Sequence, residues 1–323
     1  MQRDFSCDMM DATSGLFSAS NTQRRDGIDK EEFFMPRIQV DYYSFSLNMN
    51  THATVILPQT GKDFLSGGVR RNKDGKIPVL WLLHGFGDDS TSWERYTHVE
   101  RYALARGIAV VMPGVLSQCF YSNMVKGLPY FDHIANEVPA LFREMFPRLS
   151  DAPEDNFIAG LSMGGYGALK IGLTYPERYA AIGCFSAGNL LEIGSILPPT
   201  VEEAPLFMRP MYGVARNAFG TEKMADALGT EHDVKHLLDA ALDAGKALPQ
   251  IKMYCGTEDF VLPLSDSMAQ HIAARGLTAP AFTYEKGPGT HHWDFWDHYL
   301  PVFMDACGLT SMLEASQVTD VTG

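Results

Sequence analysis

The chain has 323 residues, 46% of them hydrophobic and 20% charged, with a formal net charge of −13. That length and apolar content allow a full α/β core, as one large domain or two small ones. The acidic balance disfavours nucleic acid and anionic membrane as partners, and no run approaches the ~18 consecutive apolar residues of a membrane span.

The first residues, Met1-Gln2-Arg3-Asp4-Phe5-Ser6-Cys7-Asp8, lack the basic-then-apolar order of a secretory signal, so a cytoplasmic location is expected. Residues 1–35 are polar and without periodicity, and read as an N-terminal extension. Residues 38–46 and 52–57 follow as two expected antiparallel strands. Ile77–Leu83, Gly107–Pro113 and Asn156–Leu161 are continuous apolar runs, as strands covered on both faces require. Tyr179–Ser186, Ile251–Cys255 and Ala281–Glu285 complete the strands. Helices are expected between them, at about 91–105, 132–146, 163–175, 264–275 and 293–305. The alternation predicts an α/β fold with a mostly parallel sheet, helices on both faces and one catalytic domain over 36–310, followed by a tail at 311–323. Residues 188–248 are too long for a simple crossover. They read as a cap-like insertion before the catalytic acid, with helical signals at 222–228 and 233–244. Cys7, Cys119, Cys184, Cys255 and Cys307 are scattered and odd in number, so reduced thiols are expected.

The informative stretch is Gly160-Leu161-Ser162-Met163-Gly164-Gly165, where an apolar run meets Gly-x-Ser-x-Gly and a helix-forming segment follows at once. That is the strand–turn–helix context of a nucleophile elbow. The turn requires small residues at Gly160 and Gly164. It exposes Ser162 Oγ and aims the Met163 N–H at developing negative charge. Candidates for the remaining parts follow in Ser…Asp…His order. Glu258 and Asp259 lie in a Gly-containing turn after a strand, and either could be the acid. His291 and His292 lie in a glycine-rich loop after the last strand, and either could be the base. Leu83-His84-Gly85-Phe86-Gly87-Asp88 places a flexible turn after the third strand, where the Phe86 N–H could complete an oxyanion hole. His84 reads there as structural. His232-Asp233-Val234-Lys235-His236 has two imidazoles at zinc-site spacing. With Asp233 in place of glutamate, Lys235 repelling a cation and no third ligand evident, a solvated helix face is the better reading. No metal or organic cofactor is implied.

These motifs resemble the esterase D-like branch of the α/β-hydrolases, nearest its tributyrin and acetyl esterases. The resemblance covers about residues 38–305. It includes Leu82-Leu83-His84-Gly85 with Ser92-Trp93, Tyr121-Ser122-Asn123-Met124, the Ser162 elbow, Cys255-Gly256-Thr257-Glu258-Asp259-Phe260 and Gly289-Thr290-His291-His292-Trp293. It implies Ser162, Asp259 and His291 as the triad, since the family's histidine stands two residues before a tryptophan. It implies Phe86 and Met163 as oxyanion donors, and Tyr121, Met124 and Trp293 as substrate pocket. The expected function is a serine carboxylesterase acting on acetyl to butyryl esters of small molecules. Feruloyl and acetyl-xylan esterases, S-formylglutathione hydrolases and acyltransferases of the same fold are the alternatives, with a non-catalytic binding scaffold behind them. The S-formylglutathione hydrolases carry a cysteine-containing turn where this chain reads Phe86-Gly87-Asp88-Asp89. The assembly state is left open, a homo-oligomer included.

Overall fold

The computed structural model describes residues 37–58, 67–206 and 208–313; the expected N-terminal extension and most of the C-terminal tail lie outside them. Strand β1 (Arg37–Ser44) turns back onto β2 (Met49–Ile56) as an antiparallel hairpin, with Tyr43 opposite Asn50. After β3 (Val79–Leu83) the chain forms α1 (Ser92–Tyr96), α2 (Val99–Arg106) and β4 (Ala109–Pro113). A short helical turn α3 (Tyr130–Asp132) runs through a π-turn, His133–Glu137, into α4 (Val138–Met145). Then come β5 (Asn156–Leu161), α5 (Met163–Thr174), β6 (Ala181–Phe185), α6 (Val234–Asp243), β7 (Gln250–Gly256), α7 (Leu262–Ala274), β8 (Phe282–Gly287) and α8 (Trp293–Ala306). The eight strands form one sheet in the order β1-β2-β4-β3-β5-β6-β7-β8, antiparallel only at β1–β2 and β2–β4. This is the expected α/β-hydrolase architecture.

Strands β3, β4, β5 and β6 are buried along their whole length, because helices cover both faces of the sheet. Alternation along β3 splits its side chains between two cores. Val79, Trp81 and Leu83 join Tyr166 and Leu169 of α5 on one face, and Leu80 and Leu82 join Val99 of α2 and Phe303 of α8 on the other.

Two expected helices are broken, for identifiable reasons. Over 91–105, Thr97 takes an extended backbone and its hydroxyl donates to the Trp93 carbonyl. The next amide, His98 N–H, is drawn to the Asp297 carboxylate at 2.8 Å. Over 132–146 the helix widens into the π-turn just before Pro139, which has no N–H for the Ala135 carbonyl; Arg178 donates to that oxygen instead, at 3.0 Å. Within 188–248, the segment expected at 222–228 shrinks to a single tight turn, Met224–Ala227. Helix α6 forms because Asp233 caps it, accepting from the Lys235 N–H at 2.9 Å and the His236 N–H at 3.4 Å.

The hairpin is tied to the body by a buried polar knot. Ser44 Oγ donates to Glu137 at 2.5 Å, and Glu137 also accepts from the Phe45 N–H at 2.5 Å. His133 Nδ1 lies 2.9 Å from the same carboxylate, while its Nε2 faces the Tyr42 hydroxyl at 3.2 Å. Burial lowers the His133 pKa, so the ring is neutral. Burial alone would raise that of Glu137, but the Ser44, His133 and backbone donors outweigh it and hold it at about 2. Ser44 and His133 have no exposed surface. A serine, a histidine and a carboxylate thus meet in a knot in which only Glu137 keeps some exposure.

Candidate active site

Ser162 stands between β5 and α5 with φ 50° and ψ −120°, a conformation that costs a non-glycine residue free energy and marks functional turns. Its N–H donates to the Phe185 carbonyl at 2.8 Å and its carbonyl accepts from Tyr166 at 3.0 Å, so the strain is held from both sides. A Cβ at Gly160 would collide with the backbone of Gly164, and one at Gly164 with the carbonyls of Leu83 and His84. The helix therefore starts flush against the end of β3, as the elbow reading requires.

Asp259, in the turn after β7, is buried, and His291, in the loop after β8, is mostly so. His291 Nδ1 lies 2.9 and 3.0 Å from the two Asp259 oxygens. Burial alone would raise the Asp259 pKa. Hydrogen bonding and charge from His291, the Val261 N–H at 2.9 Å and the Ser186 hydroxyl overcome it, so the carboxyl titrates below its ordinary value. The two open choices of acid and base separate here. Glu258 turns outward and accepts from the Gly289 N–H at 2.7 Å, which fastens the histidine loop to the acid turn. His292 is exposed at the N-cap position of α8, where its side chain makes no capping bond, with Asp294 3.4 Å away. The His291 ring is held between Phe260, at 4.5 Å between centroids, and the edge-on Trp296 at 5.1 Å.

The turn after β3 is braced from within. His84 is buried; its Nε2 accepts from the Val115 N–H at 3.1 Å and its Nδ1 lies 2.9 Å from the Gly85 carbonyl. Burial lowers its pKa to about 4, so it is a neutral structural imidazole, as expected from sequence. Asp88, on the same turn, has its pKa raised by burial and senses the charge of His291.

Tyr121 corrects an expectation. The resemblance places it in the pocket wall, but it is fully buried: its hydroxyl donates to the His84 carbonyl at 2.9 Å, and its ring fills the space left by the missing side chain of Gly167. It supports the turn after β3 and has no surface to offer a ligand. The Met163 side chain is likewise buried. Met124 packs partly buried over Gly127, and Trp293 lies half-buried against Trp93, Tyr96 and Trp296, each with centroids 5.1–5.4 Å away. Phe86 is half-buried against Phe120, which meets Phe219 of the 188–248 insertion, at 6.3 and 6.1 Å.

The His232/His236 pair is also placed differently from expectation. His232 precedes the Asp233 cap, so the two do not share a helical face. His232 is largely buried beside the Phe219 ring, with its Nδ1 2.9 Å from Lys170 Nζ. Lys170 on α5 is itself buried and donates to Ser122 Oγ at 2.6 Å; burial lowers its pKa to about 7. Burial first and Lys170 second lower that of His232 to about 4. No group of three or more possible metal ligands occurs among the described residues. Nor is any helix among them long and apolar enough to cross a membrane.

The sequence alone assigns no role to Ser186, Phe260 or Trp296. Ser186 closes β6, the strand beside the elbow strand, and its position there was the available signal.

A family model described as putative esterase matches residues 44–304. The acetyl esterase of Caldicellulosiruptor saccharolyticus is 27% identical over 267 residues, spanning 82% of this chain and 96% of that protein. Among solved structures, Staphylococcus aureus FphF, a fluorophosphonate-binding serine hydrolase, is 30% identical with a TM-score of 0.69, covering 84% of this chain and 98% of that one. S-formylglutathione hydrolase FrmB of Staphylococcus aureus is 31% identical with a TM-score of 0.68, covering 85% and 99%.

Proposed function

Since this chain belongs to the esterase family, in the esterase D-like branch of the α/β-hydrolases, and is a carboxylic ester hydrolase, we propose that Ser162, His291 and Asp259 are its triad and short-chain esters its substrates. The observation that carries the assignment is the bond from His291 Nδ1 to the buried Asp259; the elbow backbone of Ser162 supports it.

In this reading His291 Nε2 takes the Ser162 proton as Oγ attacks the ester carbonyl. Asp259 keeps the Nδ1 proton in place and stabilises the imidazolium. The N–H groups of Phe86 and Met163 hold the oxyanion. The alcohol leaves with the proton from His291. Water then attacks the acyl-enzyme, giving its proton to His291, and the carboxylic acid departs as Ser162 Oγ takes the proton back. A fluorophosphonate should label the enzyme with one equivalent, and peptide mapping should place the adduct on Ser162. An adduct on any other serine sinks the assignment.

The short-chain preference is supported by similarity to an acetyl esterase and by the Phe86–Phe120–Phe219 run, which stiffens the oxyanion side. With Tyr121 buried, Met124 and Trp293 remain of the expected pocket residues, and the half-buried Phe86 ring adds a third wall candidate. A second reading, thioester cleavage, is favoured by the similarity to an S-formylglutathione hydrolase. Comparing kcat/KM for S-formylglutathione with that for p-nitrophenyl acetate and butyrate separates the two.

A further inference from the structure

Ser186 sits directly after β6 with φ 48°, the second serine of this sheet edge held in the left-handed region. Nothing local demands a serine there. Glycine would adopt that backbone without strain, and Ser186 has no exposed surface that could meet solvent or substrate. Its N–H is fixed to the Tyr254 carbonyl at 2.8 Å, so β6 and β7 jointly enforce the conformation. A strained buried residue that the neighbouring strands hold in place suggests that its side chain is wanted where the strain puts it.

The chemistry of the contacts gives the side chain a direction. The Trp296 indole N–H, which can only donate, lies 2.9 Å from Ser186 Oγ, so the hydroxyl oxygen accepts there. A hydroxyl has a single proton to give. Its remaining partner is the Asp259 carboxylate, which can only accept. With its oxygen accepting from the Trp296 indole at 2.9 Å, the Ser186 hydroxyl keeps its proton for the carboxylate whose pKa it helps to lower, and Asp259 has His291 Nδ1 on its other side at 2.9 Å. Trp296 also stands edge-on to the His291 ring, so one side chain touches both ends of the chain.

We propose that Ser186, clamped by Trp296, is a positioning residue of the catalytic acid: its hydroxyl fixes the rotation of the Asp259 carboxylate and satisfies the lone pairs that His291 and Val261 do not, so that the acid stays aimed at the imidazole. This rests on the triad reading above. Other titratable groups near the pair are Asp88, which faces His291 from the β3 turn, and the buried Cys255 thiol on β7, which faces Asp259 and is neutral because burial raises its pKa to about 12. Glu258 points away to Gly289. None of them can replace a neutral hydroxyl donor.

The test uses Ser186→Gly, which suits the backbone, and Ser186→Ala, which keeps the bulk, with Ser162→Ala as control in the same p-nitrophenyl acetate assay. Loss of the donor should lower kcat by about 10-fold with KM little changed, since a bond to a charged group is lost where it orients the base. It should also move the acid limb of the kcat/KM profile to higher pH, because Asp259 without its donor takes up a proton more readily. Ser186→Gly relieves the backbone strain but leaves the buried Trp296 indole N–H without its acceptor, so its melting point should stay close to that of the parent. A folded Ser186→Gly enzyme with kcat within twofold of the parent and an unmoved acid limb overturns the inference, whatever Ser186→Ala does. So does failure of both variants to fold, which would make Ser186 a folding residue. Should Ser162→Ala remain active, the triad reading itself fails, and the two failures are thereby told apart.

Discussion

The Tyr121 hydroxyl donates to the carbonyl of His84 at 2.9 Å, so the turn carrying Gly85 and Phe86 is propped from beneath by a side chain that no substrate touches. Tyr121→Phe removes only that oxygen. An unpaired buried carbonyl costs about 1–3 kcal/mol. Because the Phe86 N–H belongs to the same turn, part of that cost should appear in the transition state. We expect kcat/KM to fall about 10-fold with a small loss of thermal stability. Steady-state kinetics beside a melting curve checks this, and unchanged kinetics would uncouple the prop from the oxyanion hole.

Ser162→Ala should reduce kcat by at least about 10³-fold while leaving the circular dichroism spectrum and melting point essentially intact. Removing the nucleophile leaves only the oxyanion hole and binding. Residual turnover above about a tenth of the parent is incompatible with covalent catalysis at this residue.

His291→Ala should match the serine variant. His292→Ala should stay within about threefold of the parent, because that imidazole is exposed and its nearest acid is Asp294 at 3.4 Å. A reversal of the two losses would shift the base by one residue.

The knot around Glu137 predicts a pH signature in stability. Its carboxyl has a pKa of about 2 against an ordinary 4.5, so the fold favours the ionised form. The contribution is complete above pH 4.5 and fades as pH falls toward 2. The shift corresponds to on the order of 3 kcal/mol before solvent screening. Urea unfolding of the parent and of Glu137→Gln should show a wide gap at pH 7 that closes in acid. A gap independent of pH would assign the difference to packing.

Acyl-chain preference should peak between acetyl and butyryl and fall steeply by octanoyl. Each methylene that fits adds about 0.8 kcal/mol, and one that does not costs overpacking. A kcat/KM maximum at ten carbons or longer would show an open groove instead.

How much of this was legible in the sequence depended on where the determinants lie. Strand β5 and the elbow were read to the residue, because an apolar run, two obligatory glycines and a helix former sit side by side. The break between α1 and α2 was not legible: one of its causes is Asp297, far along the chain. Ser186 and Tyr121 were missed or misplaced for the same reason. A serine after a strand and a tyrosine in a loop carry no local mark of the Asp259 carboxylate or the His84 carbonyl they serve. The choice between Glu258 and Asp259 on residues alone was likewise unavailable until the Gly289 amide claimed the former.

The left-handed backbone at Ser162 and Ser186 sets stability and activity against each other. At either position glycine would relieve strain on the order of 1–3 kcal/mol per residue. A thermostability screen without a turnover readout should therefore enrich glycine at Ser162, whereas at Ser186 the orphaned Trp296 indole N–H offsets the gain, and its most robust survivors would be esterases in shape alone. Libraries drawn from this scaffold should hold the two serines fixed and look for stability elsewhere.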